Sequence, residues 1–253
     1  MYWETRVWVC ESKVYYGARG IVGLVKPTYR PGSMESFIRL MPEGVGFIPA
    51  HVGVRAGTEQ EFQEALAIAE RKVTKLAKLG ANVVMIMGAP PAMVRGHGSD
   101  RELARRLEDK CGVTVLTATM AQVEAFRALG MKKIAGITYF TGDLNDKFAR
   151  FLEDEGFTVA AMKGMDVPFG DAGKIPADEI YAFARKTFFG AGPVDGIYML
   201  GAGWHNLPVI ELLERDLKTL LVSSIPAQVW ATQKRLKIHA PVQGYGRLLE
   251  EMP

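Results

Sequence analysis

Residues 83–89, which read VVMIMGA, have a counterpart 113 positions further along the chain in residues 196–202, which read GIYMLGA. The same offset relates IVGL at residues 21–24 to IAGI at residues 134–137. Each segment is a short continuous apolar run, typical of a parallel strand that is covered by helices on both faces. A duplicated set of such runs predicts two similar α/β units.

The segments between these runs predict helices. Residues 59–79 place apolar side chains at helical spacing and end at Gly80, as an amphipathic helix does. We therefore predict an α/β fold of two pseudosymmetric open parallel-sheet halves, with the site in the cleft between them. The predicted divisions are an N-terminal arm or extra strand (1–19), a first half (20–118), a second half (119–225), and a C-terminal helix and tail packed on the first half (226–253).

Composition narrows the function classes. The 253 residues include 31 Lys and Arg against 28 Asp and Glu, a net charge of +3, which does not favour a nucleic-acid binder. No apolar run approaches the roughly 18–20 residues of a membrane span, and the N-terminus lacks a signal-peptide pattern, so we expect a cytoplasmic protein. Its two cysteines and four histidines form no metal-binding motif, and no phosphate-binding glycine motif is present, so we expect neither a metal nor a cofactor.

Ligands of open parallel sheets bind beyond the carboxyl ends of the strands. The turns expected there supply these candidate binding residues: Pro27, His51, Gly88, Ala89, Pro90, Phe140, Thr141, Gly201, Ala202, Gly203 and Trp204. A structural role is the more common one for a histidine such as His51, and for Thr141 capping of the following helix is the more frequent use.

His205 follows the turn at Gly201 to Gly203, here called the second glycine turn, and is a candidate catalytic residue. A histidine with a pKa near 6.5 suits proton transfer at neutral pH. A helix-capping histidine that only hydrogen-bonds the loop is the alternative.

Five motifs carry a resemblance to a known family: GLVKP at 23–27, LGANVVMIMG at 79–88, RG at 95–96, DGI at 195–197 and LVSSIPA at 221–227. With these, the chain resembles the aspartate/glutamate racemase superfamily, in particular its arylmalonate decarboxylase and maleate cis-trans isomerase branch. The resemblance implies two α/β halves and cofactor-independent chemistry at a carbon next to a carboxylate. It also implies a tyrosine whose hydroxyl hydrogen-bonds that carboxylate. The register favours Phe140 at this position and puts Tyr139, our second candidate catalytic residue, one residue early.

The sequence departs from the family pattern at its cysteines. Racemases and maleate isomerases resemble this chain with cysteine where Gly88 and Gly201 stand, and the decarboxylase has cysteine at the second position only. A thiol is what lets these enzymes hold a thiolate base or donate a proton. Cys10 and Cys111 lie elsewhere, so we do not expect thiol-based racemisation or isomerisation.

The decarboxylase has hydroxyl residues in the turn after the first of these two positions, Gly88. This chain has Ala89, Pro90 and Pro91 there instead. Proline has no N–H, so we expect the hydrogen-bond donors for the ligand to come from Gly201 to Gly203 in the second half.

These observations predict a cofactor-independent, decarboxylase-like lyase that acts on a small organic carboxylate. One alternative is a hydrolase or hydratase in which His205 activates water, and another is a non-catalytic carboxylate-binding protein. The expected partner is the small-molecule carboxylate, with no nucleic acid or membrane. If the N-terminal segment clasps a neighbouring subunit, the protein is a homo-oligomer.

Overall fold

A computed structural model describes residues 15–253. The predicted arm or extra strand lies outside the described residues except for its last five, which form a turn. Within this turn, the Arg19 N–H donates to the carbonyl oxygen of Gly44 at 3.0 Å.

The described chain forms two four-stranded parallel sheets. The first has the order β2-β1-β3-β4 and the second has the equivalent order β6-β5-β7-β8. This arrangement confirms the predicted α/β class. The strands are β1 (Ile21–Lys26), β2 (Gly46–His51), β3 (Val83–Ile86), β4 (Thr114–Thr117), β5 (Lys133–Thr138), β6 (Thr158–Gly164), β7 (Gly196–Met199) and β8 (Leu220–Ser223).

Helices connect and cover the strands. Over residues 15–253, none of them combines the length and apolar character that a membrane crossing requires. They are α1 (Ser33–Leu40), α2 (Glu59–Lys78), α3 (Pro90–Arg95), α4 (Ser99–Cys111), α5 (Ala118–Ala128), α6 (Leu144–Asp154), α7 (Ala177–Gly190), α8 (Ile210–Leu217), α9 (Ser224–Arg235) and α10 (Arg247–Glu251), with 3₁₀ helices at Phe169–Lys174 and Leu207–Val209.

The long helix α2 shows how local sequence sets these elements. Thr58 caps it by accepting from the Glu61 N–H at 3.3 Å, and the Glu61 carboxylate returns to the loop N–H groups, including that of Gly57 at 2.7 Å. This reciprocal pattern stabilises the first turn. The apolar face, including Val73 and Leu76, is buried against the first sheet.

The apolar runs found in the sequence form the central strands. β1 and β3 are almost wholly buried, whereas the edge strand β2 is partly exposed. The strand order reverses direction between β1 and β3 and again between β5 and β7, which defines a topological switch point in each sheet. The loops that leave these four strands meet at the carboxyl edges of the two sheets.

Candidate functional site

One small cavity, with a volume of about 40 Å³, lies where the two switch points meet. It brings together nine of the residues predicted from sequence: Pro27, Gly88, Ala89, Pro90, Tyr139, Phe140, Gly201, Ala202 and Gly203. Four others, His51, Thr141, Trp204 and His205, do not line it. The space is sufficient for a few water-sized groups, so the site suits a small ligand.

Aromatic rings form one wall of the cavity. Phe140 stacks on Tyr139 with ring centroids 4.4 Å apart, and Phe169 lies 5.9 Å from Phe140. Phe62 from α2 meets Phe140 edge-on at 6.1 Å. With Met87 and the two prolines that begin α3, these rings make the wall largely apolar.

The two glycines that end the equivalent strands have little room for side chains. Gly201 has φ of 107°, and a Cβ built on it would overlap the Tyr139 ring. Gly88 has φ of 89°, and its Cβ would lie 2.8 Å from Cγ of Pro27. Positive φ is unfavourable for residues with a Cβ. Both positions are therefore specific for glycine in this structure.

The polar groups at the second glycine turn are partly engaged within the protein. The Gly201 N–H donates to Oγ of Ser224 at 2.9 Å, and the Gln122 amide donates to the same oxygen at 3.0 Å. Gln228, which is fully buried, donates to the Ser224 carbonyl at 2.8 Å. The Gly201 N–H, which the sequence offered as a ligand donor, thus holds the turn in place.

Tyr139 is a buried hydroxyl at the cavity. Its side chain is 3% exposed, and burial raises the pKa of its phenol above the usual 10. The nearby Arg30 guanidinium and Gly203 N–H oppose this shift in the pKa without cancelling it. Tyr139 therefore remains protonated at neutral pH and is able to donate.

Arg30 is a cavity residue that the sequence did not identify. It lies in the loop after β1, and its guanidinium carbon is 4.0 Å from the centroid of the Phe169 ring. Phe62, Phe169 and Gln228 were missed as well. The cue for Arg30 was its place three residues after Pro27, in a turn that already carried site candidates.

Lys26, which ends β1, is not a ligand partner. Its side chain is 2% exposed, and its Nζ donates to the Arg30 carbonyl oxygen. Burial lowers the pKa of this amine, with Glu35 opposing the shift. The lysine fixes the backbone of the loop that carries Arg30.

Trp204 and His205, which follow the second glycine turn, do not line the cavity. The Trp204 indole donates to the Gly201 carbonyl at 2.9 Å and packs edge-on against Tyr139 at 5.5 Å. His205 is exposed and lines an outer groove that shares Arg30, Ala202 and Gly203 with the cavity.

His51 and Thr141 are set apart from the cavity. The His51 ring stacks on Tyr29 at 5.2 Å, and burial and nearby lysines lower its pKa. Thr141 is exposed. The turn it belongs to is held instead by Thr138 and Asn145, whose side chains hydrogen-bond at 2.7 Å.

The fold and the cavity define a two-sheet α/β protein with a candidate ligand site where the two switch points meet. The arylmalonate decarboxylase family model matches residues 22–249, and the chain belongs to this enzyme family. This membership confirms the branch indicated by the sequence motifs.

One relative by sequence and two solved structures are similar to this chain. The arylmalonate decarboxylase of Bordetella bronchiseptica is 27% identical over 232 residues, which cover 91% of this chain and 96% of the relative. The maleate isomerase Iso of Pseudomonas putida S16 shares the fold, with a TM-score of 0.86 at 20% identity over 92% of this chain and 99% of that one. A mutant of the Nocardia farcinica maleate cis-trans isomerase with a covalently bound succinylcysteine intermediate has a TM-score of 0.85 at 23% identity, over 92% and 98% of the two chains.

Proposed function

We propose that the chain is a cofactor-independent decarboxylase that releases carbon dioxide from a small malonate-type acid without a thiol. The observation that carries this proposal is the packing at the two strand-ending glycines. Tyr139 fills the space beside Gly201, and Pro27 fills the space beside Gly88. The Nocardia farcinica isomerase forms a covalent succinylcysteine intermediate. Gly88 and Gly201 have no thiol that could form such a bond.

The cavity wall suits the departure of carbon dioxide. The carbon–carbon bond to one carboxylate breaks, its electron pair stays on the α carbon, and a neutral molecule leaves. An apolar environment favours this step because it stabilises the neutral product more than the charged carboxylate. Phe62, Met87, Phe140 and the prolines of α3 supply such an environment.

The electron pair left on the α carbon is delocalised into the remaining carboxylate as an enediolate. Donors aimed at its oxygens lower the barrier of such a step. The proton that completes the reaction comes from the Tyr139 hydroxyl, which burial keeps protonated, and water then restores the phenol. His205, the other donor considered from the sequence, lines the outer groove and not the cavity.

Carbon dioxide release tests the proposal. Purified protein is incubated with a panel of substituted malonates, from methylmalonate to phenylmalonate, and carbon dioxide and the monocarboxylic product are quantified. We expect stoichiometric release from at least one member and loss of release in Tyr139→Phe. No release from the whole panel would refute the proposal.

The same incubation in ¹⁸O- and deuterium-labelled water separates the other chemistries. Decarboxylation places one deuterium on the α carbon and no ¹⁸O in the product. Incorporation of ¹⁸O would identify a hydrolase or hydratase instead, and ligand binding without any turnover would identify a binding protein.

A further inference from the structure

Arg30 connects the two halves of the site. Its loop leaves β1 of the first sheet, and its guanidinium Nη1 donates to the carbonyl oxygen of Phe169, in the 3₁₀ helix that follows β6. The guanidinium carbon also lies over the Phe169 ring, 4.0 Å from its centroid. One side chain therefore spans the cleft and borders the cavity.

This cation has no carboxylate partner in the part of the chain that the structure describes: no Asp or Glu oxygen in residues 15–253 lies within 4.0 Å of it. Its Nε is buried and makes no hydrogen bond with the described residues. A half-buried cation without a counter-ion is unfavourable until an anion joins it. The cavity is the open space that Arg30 borders together with Tyr139 and Gly203.

The loop holds Arg30 in place before any ligand arrives. Lys26 Nζ donates to the Arg30 carbonyl, and the Gly32 N–H donates to Oε2 of Glu35 at 2.7 Å. Glu35, in the first turn of α1, is thus hydrogen-bonded to the backbone of the loop and forms no ion pair with the guanidinium. Such preorganisation reduces the entropy lost when a ligand binds.

The lining of the cavity combines a cationic part with an apolar part. Arg30, Pro31, Ala202 and Gly203 line both the cavity and the outer groove, and the Tyr139 hydroxyl lies beside Arg30 at Gly203. Phe62, Met87 and Pro90 line the cavity alone and form an apolar part of it, and Ser33, Ser224 and Gln228 line it as well. A malonate with one carboxylate at Arg30 and the other against this apolar part has its two carboxylates in unlike environments.

We propose that Arg30 binds the carboxylate that the substrate keeps, and that the carboxylate lost as carbon dioxide faces the apolar part of the lining. This inference rests on the proposed function for the identity of the substrate. The planar guanidinium provides two parallel N–H donors that match a carboxylate, and then the enediolate formed from it. Arg30 is accordingly the residue that determines specificity for an acid, and the monocarboxylic product binds through it as well.

Product binding tests this assignment. Phenylacetate and propionate are titrated into wild type and Arg30→Gln by calorimetry, with phenylacetamide and propionamide as uncharged probes of the same shape. Arg185→Gln is the matched control, since Arg185 is exposed on α7 and also lies by a phenylalanine ring. Unfolding curves of each variant show whether it is folded, and Arg30→Lys provides a milder change at the same position.

We expect Arg30→Gln to weaken acid binding about 10- to 100-fold, the equivalent of a lost charge-assisted hydrogen bond. Arg30→Lys should be intermediate because it retains charge without the planar donors. Amide binding and the Arg185→Gln variant should be unchanged.

Equal binding of the acids to wild type and Arg30→Gln would overturn the assignment, because Arg30 would then hold the departing carboxylate or none. Failure of both acids to bind wild type would overturn it too. The outcome is separable from the proposed function: acid binding that depends on Arg30, with no carbon dioxide from any malonate, refutes decarboxylation and leaves Arg30 as the acid-binding residue.

Discussion

Replacing Gly201 by alanine would place a methyl group on the Tyr139 ring, at a residue whose φ is 107°. A residue with a Cβ at positive φ loses about 1–2 kcal/mol of stability. Forcing an extra methyl into a filled space costs about 1–3 kcal/mol more. We therefore expect Gly201→Ala to lower the free energy of unfolding by about 2–5 kcal/mol, the sum of these two contributions.

Gly32→Ala is the matched control. Gly32 has the same φ of 107°, but a Cβ built on it would have no atom within 4 Å. This variant should lose only the backbone contribution of about 1–2 kcal/mol. Both variants are measured by urea denaturation, which reports the free energy of unfolding by linear extrapolation.

A double variant tests whether the Tyr139 ring causes the loss of stability in Gly201→Ala. Tyr139→Leu, combined with Gly201→Ala, should be less destabilised than the sum of the single variants by about 1–3 kcal/mol, because the methyl would then have room. If Gly201→Ala and Gly32→Ala lose the same free energy, Tyr139 does not exclude a side chain at Gly201, and the argument against a thiol there fails.

Further expectations concern catalysis and stability. Tyr139→Phe should lower kcat about 10²- to 10⁴-fold, the usual loss for a general acid, with folding retained. Burial raises the Tyr139 pKa above 10, so the phenol keeps its proton at every lower pH and kcat of the wild type should stay level from pH 6 to pH 9. An enzyme with a histidine as its general acid would instead lose activity above about pH 6.5. His205→Ala should change kcat less than about twofold, well below the loss expected for a general acid, since His205 is exposed in the outer groove. Glu155→Gln should lower the free energy of unfolding by about 1–3 kcal/mol in urea denaturation, because the Glu155 side chain is 1% exposed and pairs with Arg101 and Arg127.

The fold was predictable because the information is local and repeated. Continuous apolar runs identified β1, β3, β5 and β7, and the amphipathic spacing placed the long helix at residues 59–79 where the structure has Glu59–Lys78. The switch-point rule then selected the turns that meet at the cavity. None of this depended on contacts between distant residues.

The chemistry within the cavity was less predictable because it depends on such contacts. Arg30 is positioned by Phe169, 139 residues away, in a segment with no periodic pattern. The register argument for Phe140 assumed that strand alternation continues, but β5 ends at Thr138. Tyr139 and Phe140 are therefore not forced to opposite faces, and both line the cavity.

The most direct test of the central claim removes sulfur. Turnover of the malonate that wild type decarboxylates is measured for the double variant Cys10→Ser, Cys111→Ser, which has no thiol left in the chain. The account predicts kcat within about twofold of wild type, since a lost catalytic group costs at least about 100-fold. A fall of that size in a folded variant would contradict it.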